Sequence, residues 1–163
     1  QAAAADPRVE IVDQLLSEGD LQQLIAGAAA YVSPHRSEGL GLTMIEAMAC
    51  GVPVIATPYG GLDAFLDAEA AWPVPFRLIE LTQDHPPYPQ GFVWADPDVD
   101  ALAGALRAVL ADPALAARRA QTARARVLDA FASDALIATY RGELERIAGL
   151  LGLAPGLSEN FRR

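Results

Sequence analysis

Residues 33–51, SPHRSEGLGLTMIEAMACG, constrain this chain more than any other stretch. Ser33 ends the short segment AYVS, a glycine-rich loop follows, and the spacing predicts a helix opening at about Leu42. Gly39 and Gly41 carry no Cβ, so the backbone there can approach a ligand and can adopt a positive φ if the turn needs it. The first-turn amides of the helix, around Leu42 and Thr43, lack intrahelical acceptors and lie at the positive end of the helix dipole. A phosphate group suits such a place. Glu46, one turn on, would be repelled by that phosphate, but its carboxylate can accept hydrogen bonds from two vicinal hydroxyls, as acidic side chains do for ribose in dinucleotide folds. Glu38 sits on the loop at the other end, toward whatever the phosphate carries. Seven residues, GLGLTMI, separate the two glutamates.

This arrangement resembles the Glu, seven residues, Glu signature of the retaining glycosyltransferases with the GT-B fold, the large group that includes sucrose synthases and bacterial mannosyltransferases. EAMACGVPVIATPYGG is similar to the family's helix, strand and double-glycine loop, and FVWADPDVDALAGAL to the segment that follows its sheet in bacterial members. The likeness covers most of residues 8–131. It implies an α/β fold, a Rossmann-like parallel sheet with flanking helices, belonging to part of the C-terminal, donor-binding domain. It also implies transfer of a sugar from a nucleoside diphosphate sugar to an acceptor hydroxyl with retention, in glycan or polysaccharide synthesis. Within that scheme Glu38 is the candidate catalytic residue and Gly39, Leu40, Gly41, Leu42, Thr43 and Glu46 are the candidate donor-binding residues. Glu46 would hold the ribose, the amides of Leu42 and Thr43 the diphosphate, and Glu38 with the amides of 39–41 the donor sugar. The leaving phosphate is thought to assist the incoming hydroxyl in this family, and no metal or other cofactor is required. The base pocket is expected to include residues 12–16.

The same resemblance implies partners beyond this stretch. A GT-B enzyme reacts its substrates in the cleft between two domains, and the acceptor domain and the first donor-domain strands, with their diphosphate-neutralising Arg and Lys, have no counterpart here. The expectation is a donor-domain fragment, inactive in transfer alone, whose partners are a nucleotide-sugar donor and the N-terminal acceptor domain. Two alternatives stay open: a non-enzymatic nucleotide-sugar binding module, and a GT-B relative such as a nucleotide-sugar epimerase. A phosphorylase would need a lysine for pyridoxal phosphate, and the chain has none.

Composition narrows the classes further. The 163 residues suffice for one domain with a sizeable core, and 52% apolar with 20% charged content is ordinary for a globular α/β protein. A net charge of -9 argues against a nucleic-acid partner. Cys50 alone excludes an internal disulfide and suits a reducing cytoplasm. No apolar run reaches membrane-spanning length and the N-terminus lacks a signal-peptide pattern, so membrane contact would come through other parts of the parent protein.

Along the chain, RVEIV at 8–12 alternates as a strand does. Ser17 and Asp20 form a capping pattern ahead of a helix with Leu21, Leu24, Ile25 and Ala28 on one face. Gly51 is a C-terminal cap and VPVIAT a fully buried strand. Residues 63–68 read as a short helix, WPVPFRLIEL as an extended edge strand, and QDHPPYPQG as a loop. Three helices follow: one from Asp98, one from Pro113 and one over 134–151, giving a single domain over 1–151 and a tail over 152–163. His35 and Arg36 read as surface groups, Cys50 as a small buried hydrophobe, Trp72 and Trp94 as packing residues. Arg118, Arg119, Arg124 and Arg126 read as a solvated helix face.

Overall fold

A computed structural model describes residues 6–61 and 63–152. Three parallel strands form the sheet in the order β1 (Tyr31–Ser33), β2 (Val54–Ala56), β3 (Trp72–Pro73), with Tyr31 opposite Val54 and Ile55 opposite Trp72. A helix α2 (Leu42–Ala49) connects the first two strands. All three residues of β2 are buried, because the central strand of a parallel sheet is covered on both faces. Side chains alternate across it. Val54 and Ala56 join Met44, Ala47 and Met48 of α2 on one face, and Ile55 joins Trp72, Val74, Val109 and Ala116 on the other. The strands run in the same direction, so the loops after Ser33 and after Ala56 emerge at one edge. Open parallel sheets bind ligands at that edge.

The capping signals act as their chemistry requires. Ser17 caps α1 (Glu18–Ala26) by accepting from the Asp20 amide. Gly51 ends α2 at φ 74 in a Schellman turn, with Gly51 N–H donating to Met48 O and Val52 N–H to Ala47 O. Asp98 caps α3 (Val99–Ala111), and Pro113 opens α4 (Pro113–Ala130), whose cap is Asp112. The last helix, α5, covers Ser133–Leu150.

Several expectations are corrected. Residues 8–12 form no strand: Val9, Ile11 and Val12 are exposed, and their alternating pattern finds no ladder partner among the described residues. The short helix over 63–68 is a single 3-10 turn, Asp63–Phe65. WPVPFRLIEL is two strands in two sheets, because Pro75 lacks an N–H and interrupts the ladder after β3. Its second half, β4 (Phe76–Glu80), pairs antiparallel with β5 (Val93–Pro97) in a separate hairpin. Helix α1 stops at Ala26, leaving Ala28 beyond it, and of its apolar face only Ile25 is buried. The arginines of α4 are not simply solvated. Arg119 donates to Ala71 O and lies over the Trp72 ring, Arg124 donates to Ala49 O, and Arg126 pairs with Asp67 and Glu69. They fasten α4 to the sheet and to α2. The expected tail lies outside the described residues apart from Gly152.

Candidate functional site

The loop between β1 and α2 holds the predicted residues together. Gly41 is the N-cap of α2 at φ 72, ψ 49, a left-handed conformation that costs glycine little. It has no side chain with which to cap the helix. Glu38 supplies the missing carboxylate: its Oε1 accepts from the amides of Gly39 at 2.9 Å and Gly41 at 3.2 Å. Two of the three amides expected to face the donor sugar thus hold Glu38, and its Oε2 has no partner among the described residues. Leu40 is exposed at the crest of the loop.

Gly41 O accepts from Met44 and Ile45, closing the first turn of α2. The amides of Leu42 and Thr43 have no acceptor among the described residues, and both residues are exposed at the end of the dipole. The Thr43 hydroxyl is engaged elsewhere, 2.7 Å from the Tyr31 phenol oxygen. Glu46 is exposed, one turn along the same helix, with its carboxylate unpartnered among the described residues. Met44, Ala47 and Met48 are buried on the opposite side and anchor the helix that carries it.

The second glycine loop, residues 57–61, lies directly on the first. Gly61 N–H donates to Gly39 O at 2.8 Å. A Cβ on Gly60 would sit 2.5 Å from Glu38 O, and one on Gly61 would overlap Gly39 O more severely still. The double glycine therefore has a reason the sequence did not disclose: it admits another loop's backbone.

Two neighbours of the motif also turn out to be engaged. The His35 ring lies 3.1 Å from Ser33 Oγ through Nδ1 and 3.0 Å from Tyr59 O through Nε2. Arg36 pairs with Asp96 at 3.0 Å and lies over the Trp94 ring, and its carbonyl accepts from Ala95 N–H. Arg77 shares Asp96, and its hydrogen bond, with Arg36 assisting, holds that carboxyl below the usual aspartate range against the opposing effect of burial. The hairpin is thus tied to the first loop through Arg36 and to the second through the Tyr59 and Phe76 rings, 5.5 Å apart. Trp94 is boxed in by Arg36, His85 and Tyr88, and Trp72 lies beneath Arg119, so both indoles are packing residues. Sequence position offered one signal for His35 and Arg36, their adjacency to the motif; their partners are remote in the chain.

Of residues 12–16, expected at the base pocket, 12–15 are exposed, Leu15 fully, and Leu16 is half-buried. A cavity of about 410 Å³ opens at the foot of the hairpin, lined by Pro75, Phe76, Arg77, Asp96, Pro97 and Asp98, none of them a predicted site residue. Among the described residues no group of three His, Cys, Asp or Glu is placed to hold a metal ion, and no helix is long and apolar enough to cross a membrane.

Comparison with known proteins identifies the family and the fold. The family described as Glycosyl transferases group 1 matches residues 6–126. The chain is 34% identical over 117 residues to a glycogen synthase of Mycobacterium tuberculosis, covering 71% of this chain and 23% of that protein. It is 38% identical over 127 residues to a D-inositol 3-phosphate glycosyltransferase of Mycobacterium avium, covering 77% and 26%. The solved sucrose-phosphate synthase from Thermosynechococcus elongatus superposes with a TM-score of 0.64 at 34% identity, over 88% of this chain and 31% of that one. The chain therefore spans between 23% and 31% of the length of these proteins. Its α/β architecture is that of the GT-B type, as the glutamate signature implied. The chain belongs to the glycosyl transferases group 1 family.

Proposed function

We propose that this chain is the donor-binding part of a retaining glycosyltransferase that moves a sugar from a nucleoside diphosphate sugar to an acceptor hydroxyl in glycan synthesis. One observation carries the reading: two unpartnered amides, Leu42 and Thr43, stand at the start of α2, and the unpartnered Glu46 carboxylate stands one turn along it. The amides would bind the diphosphate and take up its charge as the nucleotide leaves, a stabilisation that needs no reorganisation at the moment of reaction. Glu46 would accept the two ribose hydroxyls. Glu38, held through Oε1 by its own loop, would present Oε2 to a hydroxyl of the donor sugar.

The scheme routes no step through a metal. The acceptor and the cations that neutralise the diphosphate would come from an acceptor domain and further donor-domain strands of the parent enzyme, working in the cytoplasm. The relatives named as a glycogen synthase, an alpha-maltose-1-phosphate synthase and a D-inositol 3-phosphate glycosyltransferase support a hydroxyl acceptor.

The test is an amide NMR titration of the chain with uridine, guanosine and adenosine diphosphates, with Glu46→Ala in parallel. Binding at about millimolar Kd, about 4 kcal/mol, is expected without the upstream cations. One nucleotide should shift the amides of residues 39–43, and Glu46→Ala should abolish the shift without lowering thermal stability, since Glu46 is exposed. Shifts that survive Glu46→Ala unchanged would remove Glu46 from the site.

A further inference from the structure

We propose that His35 is a positioning residue of this site, whose imidazole fixes the spacing at which the two glycine loops meet. The effect on the ligand rests on the donor-site reading above; the effect on the loops does not. Tyr59 O is a carbonyl and can only accept, so His35 Nε2 carries the hydrogen of that 3.0 Å bond. Nδ1 then accepts from the Ser33 hydroxyl in the neutral ring, or donates to it in the protonated one. The bond to Tyr59 survives in both states.

His35 is half-buried and belongs to neither core cluster, so its two bonds are not needed to assemble the sheet. The β1–β2 ladder already fixes Ser33 opposite Ala56, and Thr57 N–H donates to Ser33 O just beyond it. What the ladder leaves unfixed is the chain past Thr57. Among the described residues two hydrogen bonds tie that chain to the first loop: His35 to Tyr59 O and Gly61 N–H to Gly39 O. They flank Gly60, whose close approach to Glu38 O leaves no slack between them. Gly39 is also the residue whose amide donates to Glu38 Oε1. A contiguous series of contacts therefore runs from the imidazole through Tyr59 and Gly61 to Gly39 and the Glu38 carboxylate. Phe76 of the hairpin backs the Tyr59 ring, their centroids 5.5 Å apart.

The test uses three substitutions in the 163-residue chain. His35→Gln places its amide nitrogen near the position of Nε2 and keeps the Tyr59 arm; His35→Asn keeps only the Ser33 arm; His35→Ala keeps neither. Hydrogen exchange of the Gly61 amide, measured without ligand, should accelerate about five- to tenfold in the Ala and Asn variants, the equivalent of one hydrogen bond, and stay within about twofold of wild type in the Gln variant. Exchange in β2 and in the second turn of α2 should not change. The dissociation constant of whichever of uridine, guanosine or adenosine diphosphate binds wild type should weaken about fivefold in Ala and Asn and recover in Gln. Unchanged Gly61 exchange in His35→Ala, or a Gln variant no better than Ala, overturns the proposal. A wild-type chain that binds none of the three nucleotides sinks the donor-site reading and the ligand half of this proposal with it, while the exchange series still decides the loop half.

Discussion

Replacing Gly60 by alanine tests whether the two glycine loops are fitted to each other. Gly60 lies at φ 127, a region that L-residues rarely adopt, and its added Cβ would stand 2.5 Å from Glu38 O. Ordinary contact begins at 3.4 Å, and the obstructing atom is backbone, which no rotamer change can clear. The loops would have to part by about 1 Å, a displacement comparable to overpacking in a core, which costs about 1–3 kcal/mol. Holding alanine at that φ costs a further 1–3 kcal/mol or so. The sum, about 4 kcal/mol, corresponds to a fall in Tm of roughly 8–16 °C for a chain of this size. If the second loop retreats instead, the loss of stability is limited to the docking contacts, and the Gly61 amide, freed from Gly39 O, loses its protection. Gly39→Ala is the control, because nothing lies within 4 Å of its Cβ position. Thermal unfolding and Gly61 exchange measured on both variants decide the matter. A Gly60→Ala chain that keeps both its Tm and its Gly61 protection would refute the close-packed description of the loops.

Two further outcomes follow from buried and charged groups. Thr57 is fully buried and its hydroxyl has no partner among the described residues, so Thr57→Val, which keeps the shape and removes the unpaired group, should add about 1 kcal/mol and raise Tm by roughly 2–4 °C; a loss of stability would mean the hydroxyl has a partner. Asp67 and Asp96 both titrate below the ordinary aspartate value of 3.8: burial opposes the shift at Asp67, but the Arg126 bond and the amides of Glu69 and Ala70 outweigh it, and the Arg77 bond leads at Asp96. A carboxyl with a lowered folded pKa contributes stability that is complete above its unfolded value and is lost as pH falls through the folded one. Tm should therefore drop as pH goes below about 4, and Asp67→Asn should flatten that drop; an Asp67→Asn chain with an unchanged acid limb would show that the Arg126 pair contributes nothing.

What was legible in the sequence was local. A Ser three residues ahead of an Asp, a proline after an aspartate, a glycine closing an apolar helix and a run of β-branched residues each act through groups within a few positions, and each appears where expected at Ser17, Pro113, Gly51 and β2. The errors arose where the partner is far away in the chain. Val9 and Ile11 have the alternation of a strand, but a strand exists only with a neighbour to bond, and periodicity cannot supply one. Arg119, Arg124 and Arg126 read as solvated cations on one helix, yet their partners are Ala71, Ala49, Asp67 and Glu69. The hairpin was hidden because the long loop 81–92 separates its strands. Glu38 is the instructive exception. Its acceptor role toward Gly39 and Gly41 is as local as the Ser17 cap, and a glutamate three residues before a glycine N-cap was a readable signal for a carboxylate that closes its own loop.

The glycines show how one composition serves different ends. Read in sequence, Gly39 and Gly41 promised close approach to a ligand, and Gly60 and Gly61 stood only as a double-glycine loop. In three dimensions Gly41 makes the left-handed turn that starts α2, while Gly60 and Gly61 make room for the backbone of residues 38–40. Of the glycines of these two loops whose Cβ surroundings are described, Gly39 alone faces open space. If the loop binds a ligand, it does so over Gly39 and along the free amides of Leu42 and Thr43, and Gly60 and Gly61 act by holding that surface still. A nucleotide should accordingly tolerate alanine at Gly60 less well than its distance from the free amides suggests, because the ligand would be losing the rigidity of the first loop and not a contact with the second.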